Sequence, residues 1–179
     1  MTAIMNWNIR LFFKINSLVG KSRLFDAIGR AGAEWAIIAM LGWFGASVFV
    51  ANLPDKKAAL WPIVFFVGSW LVGWVISIGL GLIVREPRPH ITYPEAKLLF
   101  TPTMSWKSFP SDHALSSWLL FFTALHFGLP GAWALLPLTL WVVWGRVYAG
   151  LHYPFDIAGG TVLAAFVAVL QYLVLLRWF

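Results

Sequence analysis

Three of the four histidines, His90, His113 and His152, fall in short polar segments that also hold Arg85, Glu86, Arg88, Ser111, Asp112, Arg146 and Asp156. Arg88 and Arg146 come from separate segments and suit an anion with several oxygens, because a guanidinium fork meets phosphate bidentately and keeps its charge at any working pH. Ser111-Asp112-His113 follows Pro110 and opens an apolar run. A hydroxyl and free backbone N–H groups then gather at a helix N-terminus, where phosphate is favoured; His113 by itself fits a capping role equally well. His152 and Asp156 are four apart with Pro154 between them. Proline favours the first helical turn, so His152 should precede a helix and Asp156 lie inside its first turn. Such a carboxylate can hold one ring nitrogen and leave the other free as nucleophile or base. Alone, the pair would be an ordinary capping contact; with two arginines, a serine and a second histidine, the set points to phosphoryl transfer. Zinc is the rival chemistry, but no H-E-x-x-H spacing exists and the arginines would repel a cation, so neither metal nor cofactor is expected. With no cysteine in the chain, disulfides and thiolate chemistry are excluded.

The composition says what kind of scaffold must position these groups. The 179 residues suit one domain, 1–179. Apolar residues make up 60% and charged ones 11%, against about 25% charged in an average soluble domain, and the mean hydropathy is +0.79. The 12 tryptophans and 15 phenylalanines suit lipid–water boundaries. An ordinary soluble enzyme, a coiled coil and a disordered tail are excluded. The net charge of +6 fits anionic lipid headgroups or an anionic substrate, not nucleic acid.

Five apolar stretches approach the ~20 residues a bilayer crossing takes: about 33–51, 60–84, 114–129, 132–147 and 157–176. Between residues 4 and 19, Ile4, Met5, Trp7, Leu11, Phe12, Ile15 and Leu18 recur at helical spacing, which predicts an amphipathic interfacial helix, with a short sixth span as the alternative. Arg10 and Lys14 interrupt this segment, which does not read as a secretory signal. The expected fold is therefore all-α: a bundle of about five transmembrane helices with an N-terminal interfacial helix. If the spans alternate, every polar segment of the first paragraph shares one membrane face. Ten of the 13 Lys and Arg residues then lie on that face, and only Lys56, Lys57 and Arg177 lie opposite. By charge count alone that face would be cytoplasmic.

In chain order, Arg88-Pro89, Pro110-Ser111-Asp112-His113, and Arg146 with His152 and Asp156 resemble the signature K-x6-R-P, P-S-G-H, S-R-x5-H-x3-D of the type 2 phosphatidic acid phosphatase superfamily. The third spacing matches in full. The stretches E-P-R-P, F-P-S-D-H and G-L-H-Y-P-F-D look most like the bacitracin-resistance type of undecaprenyl-diphosphate phosphatase, a likeness that reaches back to Glu34. Three positions depart from the signature: Gly81 stands for its lysine, Asp112 for its glycine and Gly145 for its serine. The bacitracin-resistance type shares the first two changes. Arg85 or Lys97 is the expected substitute for the lysine.

The resemblance implies a metal-independent lipid phosphatase. His152 would be the nucleophile that forms a phosphohistidine, Asp156 its orienting carboxylate, and His113 the general acid and then base. Arg88, Ser111, Asp112 and Arg146 would bind phosphate. The implied reaction converts undecaprenyl diphosphate to undecaprenyl phosphate, recycling the carrier lipid of cell-wall synthesis. Phosphatidylglycerophosphate, phosphatidate or lipid A are the alternative substrates, and a lipid-binding or transport protein with a degenerate site is the non-enzymatic alternative. The implied location is the bacterial inner (plasma) membrane with an extracytoplasmic site, against the charge count. Trp106, Trp118 and Trp144 either line a polyprenyl path or anchor the protein in lipid.

Overall fold

The computed structural model describes residues 2–51, 60–102 and 106–178, which form helices and connecting loops with no strand among them. The helices are α1 (Thr2–Asn16), α2 (Arg23–Arg30), a π-helical turn (Ala31–Trp35), α3 (Ala36–Ala51), α4 (Leu60–Val84), α5 (Pro89–Thr92), α6 (Asp112–His126), a 3₁₀ turn (Ala132–Ala134), α7 (Leu135–Tyr148) and α8 (Pro154–Trp178). Three helical stretches are long and apolar enough to cross a bilayer: Arg23–Ala51, Leu60–Thr92 and Pro154–Arg177. α6 and α7 have 15 and 14 residues, or roughly 22 Å each at 1.5 Å per residue, short of the ~30 Å hydrocarbon layer. The expected segment 52–57, with Lys56 and Lys57, lies outside the described residues.

α6 is the hub, touching α3, α4, α7 and α8. Leu120 packs with Met40, Phe44, Leu135 and Val142 on one side, and Leu115 and Leu119 pack with Leu163 and Val167 on the other. The outer faces of α4 and α8 stay apolar and exposed, as at Ile83, Val75 and Val162, which suits lipid contact. Helices in lipid gain nothing from hiding apolar surface, so close approach through small residues holds them together. One such close approach is between the π-helical turn and α7. A Cβ added at Gly145 would stand 2.6 Å from the Ala33 nitrogen and 2.8 Å from the Gly32 carbonyl carbon. The missing serine of the third motif thus has a steric cause: the backbone of the π-helical turn occupies its place.

α1 meets the bundle through part of its apolar stripe, where Phe12 packs on Val147 and Tyr153, and through two asparagines beside it. The buried positions are Asn8, Phe12 and Asn16, four apart, while Trp7 and Leu18 are exposed; the side chains of Ile4 and Met5 lie outside the described residues. Asn16 donates to the carbonyls of Lys97 (2.8 Å) and Tyr148 (3.0 Å) and accepts from the Lys97 N–H (2.8 Å). Asn8 Oδ1 accepts from the Phe155 N–H at 3.0 Å. Both asparagines satisfy backbone groups that helix ends leave open, which periodicity cannot foresee. The apolar face expected to meet lipid keeps Trp7 outward, and polar side chains join α1 to the loops around His152.

Gly145→Ser should restore the family hydroxyl yet destabilise the protein by about 1–3 kcal/mol, the usual cost of overpacking. Thermal unfolding in detergent should show a lowered midpoint, with Gly42→Ser, at an open position, as the control that leaves it in place.

Candidate active site

Each motif becomes the end of a helix. Arg88 has extended backbone (φ −67°, ψ 154°) and caps α5, with Pro89 at the first helical position; proline costs no hydrogen bond there. Ser111 caps α6, its Oγ accepting from the Ala114 N–H, so Asp112 and His113 occupy the first turn. Just past the end of α7, Gly150 has a φ of +80°, which suits glycine, and the chain turns through His152 into α8. There the Asp156 side chain reaches back to the Tyr153 N–H at 2.8 Å while the Asp156 N–H donates to the Tyr153 carbonyl at 3.0 Å, a reciprocal cap.

These ends enclose a cavity of about 460 Å³ lined by Arg88, Asp112, His113, Arg146 and His152, with Glu34 from the π-helical turn and Trp35, Ile38 and Phe100 toward its apolar side. Arg88 and Arg146 are both buried. Arg88 Nε donates to the Lys107 carbonyl at 3.0 Å, and Arg146 Nη1 to the Ala33 carbonyl at 3.1 Å. Arg88 Nη1 and Arg146 Nε have no hydrogen-bond partner among the described residues. Buried cationic donors of this kind favour an anionic acceptor. Arg146 Nη1 also lies 3.4 Å from His113 Nε2, which ties the second-motif histidine to the third-motif arginine.

His152 Nδ1 is 3.4 Å from Asp156 Oδ2, and the same oxygen accepts from the Ser108 hydroxyl and the Tyr153 N–H. Burial first, then the cations of Arg146 and Arg88, hold the His152 pKa well below the usual histidine value. The imidazole is therefore neutral at physiological pH, as a nucleophile must be. Among the described residues, no group of three or more His, Asp or Glu side chains is placed to hold a metal ion.

The profile of the PAP2 superfamily matches residues 59–179. The chain belongs to that superfamily. Among curated proteins it is 28% identical to the undecaprenyl-diphosphatase BcrC of Bacillus subtilis over 163 residues, covering 91% of this chain and 81% of that protein. Among solved structures, LpxE of Aquifex aeolicus superposes with a TM-score of 0.69 at 20% identity, covering 92% of this chain and 94% of that one. The transmembrane PAP2-type phosphatidylglycerolphosphate phosphatase of Bacillus subtilis gives 0.66 at 19% identity, covering 96% and 85%. The chain is thus an all-helical membrane protein of a phosphatase superfamily.

Against the PAP2 signature, the structure gathers Arg88, Asp112, His113, Arg146 and His152 around one cavity, with Asp156 directly behind His152. Ser111 is fully buried as the α6 cap and does not line the cavity. Arg85 and Lys97, the expected lysine substitutes, are elsewhere. Arg85 is exposed with Nε on the Leu82 carbonyl at 2.9 Å. Lys97 Nζ is held by the Val19 carbonyl at 2.6 Å. Lys107 is buried behind the cavity wall, with Nζ 2.8 Å from Asp112 Oδ1. Lys107 and Ser108 lie just before the second motif, where no spacing rule marked them. Glu34 does line the cavity, paired with Arg30 at 2.6 Å. None of Trp106, Trp118 and Trp144 lines it; Trp35 does.

Because His152 is kept neutral when folded, the unfolded chain takes up a proton near pH 6.5 that the folded chain refuses, and acidification favours unfolding. The thermal midpoint should fall between pH 7 and pH 5, and should fall less in His152→Ala. Equal falls in the two proteins would contradict the neutral, buried imidazole.

Proposed function

We propose that the chain removes the terminal phosphate of undecaprenyl diphosphate through a phosphohistidine intermediate, without a metal ion. His152 Nε2 attacks the terminal phosphorus as the bond to the bridging oxygen breaks, and His113 gives its proton to the departing oxygen. Water then attacks the phosphohistidine, His113 takes a proton from it, the P–N bond breaks and inorganic phosphate leaves. Asp156 holds the imidazole and stabilises its positive charge, as a carboxylate does in other histidine-centred sites. Arg88 and Arg146 take the charge on the phosphoryl oxygens. Fixed cations aimed at developing charge in a water-poor site supply much of the acceleration in phosphoryl transfer.

The carrying observation is the cavity itself: two histidines and two buried arginines with free N–H groups face one space of about 460 Å³. Its rim supports a lipid substrate, since Trp35 and Ile38 line it and are 61% and 56% exposed, giving an apolar chain a way out toward the bilayer. The diphosphate is favoured by the likeness to BcrC across 91% of the chain and by the shared changes at Gly81 and Asp112. We place the site on the extracytoplasmic side of the bacterial plasma membrane, in a bundle of five spans completed by α6 and α7. The basic residues of the N-terminal segment then serve headgroup contact.

The test is phosphate release by purified protein in detergent from undecaprenyl diphosphate, phosphatidylglycerophosphate, phosphatidate and lipid A, with excess EDTA. Release should persist in chelator and be fastest on undecaprenyl diphosphate. A faster lipid monophosphate would reassign the substrate. Loss of activity in EDTA, restored by magnesium or zinc, would remove the histidine mechanism, and no release from any lipid would favour a binding protein.

A further inference from the structure

A carboxylate in a phosphate cavity needs an explanation. Asp112 lines the same wall as Arg88 and Arg146, its side chain is 34% exposed, and a bare negative charge there would repel the anion that the arginines attract. The group that answers it comes from the loop before α6. Lys107 Nζ donates to Asp112 Oδ1 at 2.8 Å, to the Pro110 carbonyl at 3.0 Å and to Ser77 Oγ at 2.6 Å, which uses all three ammonium protons. Ser77 Oγ in turn donates to Asp112 Oδ1 at 2.6 Å, so one carboxylate oxygen takes both donors. One helical turn beyond Ser77 stands Gly81. A Cβ there would come within 2.6 Å of Lys107 Cδ and 3.3 Å of the Phe109 carbonyl oxygen. The lysine stem therefore runs through the space that Gly81 leaves open, and its own backbone carbonyl holds Arg88 Nε.

We propose that Lys107 is a positioning residue of the phosphate site: it neutralises Asp112 so that an anion can bind beside that carboxylate, and it depends on the absence of a side chain at Gly81. The three residues form one coupled unit in which the basic group reaches the cavity wall from the loop and not from α4. The inference rests on the phosphatase reading of the cavity, but it concerns anion binding, which is measurable without turnover.

The experiment is calorimetric titration of the detergent-purified full chain with orthovanadate, alongside KM and kcat on the best lipid. Lys107→Met keeps the stem and removes the charge. It should weaken vanadate binding about tenfold or more, as expected for a carboxylate exposed to an anion in a partly buried site, and raise KM more than it lowers kcat. Adding Asp112→Asn should restore most of the lost affinity, because the charge to be neutralised is gone. If Lys107→Met proves unstable in a melting scan, Gly81→Ala, which displaces the stem, should show the same loss and the same rescue. Unchanged binding in Lys107→Met, or a double variant as weak as the single one, would overturn the proposal, the latter showing that the lysine holds only the loop. A wild type that binds vanadate but hydrolyses no lipid would sink the phosphatase assignment and leave this comparison intact.

Discussion

Two guanidinium groups, Arg88 and Arg146, are buried together beside one cavity, and most of the surrounding structure answers the cost of that arrangement. Removing a charge from water costs several kcal/mol unless it is hydrogen-bonded or paired, and two like charges in one low-dielectric space also repel. Backbone carbonyls of Ala33 and Lys107 take one N–H from each. The carboxylates of Asp112 and Glu34 line the same cavity. In the proposed function a tetrahedral dianion would complete the balance.

The helices serve that cavity through their ends. α5, α6 and α8 begin beside it and α7 finishes beside it, so residues at or next to four helix ends, Arg88, Asp112, His113, Arg146 and His152, line one region. The π-helical turn adds a carbonyl from outside the matched PAP2 region, and it reaches Arg146 only because Gly145 has no side chain. α1 then ties these ends together through Asn8 and Asn16. The N-terminal third of the chain is therefore part of the site and more than a membrane anchor.

Sequence reading went furthest where chemistry and chain position coincide. His152 before α8 and Asp156 in its first turn follow from the position of Pro154 alone, and the apolar run 60–84 is the helix α4. It went wrong over the missing cation, because a search for a nearby basic residue counts positions along the chain. Lys107 reaches the vacated space at Gly81 across the interior, from a loop 26 residues later. The buried asparagines of α1 were hidden for a related reason: an amphipathic pattern records which side chains avoid water, while Asn8 and Asn16 are buried to satisfy backbone groups of other segments. The π-helical turn, whose place against α7 depends on glycines at 32 and 145, left no periodic trace.

The central claim is that His152 carries the phosphoryl group, and the most direct measurement is to trap it. Purified protein mixed with substrate labelled in its terminal phosphate and quenched in alkali, where phosphohistidine survives, should carry label on the wild-type chain. His152→Ala should carry none, and Asp156→Asn should label more slowly. Label on the His152→Ala protein, or an unlabelled wild type that still turns over, would contradict the account.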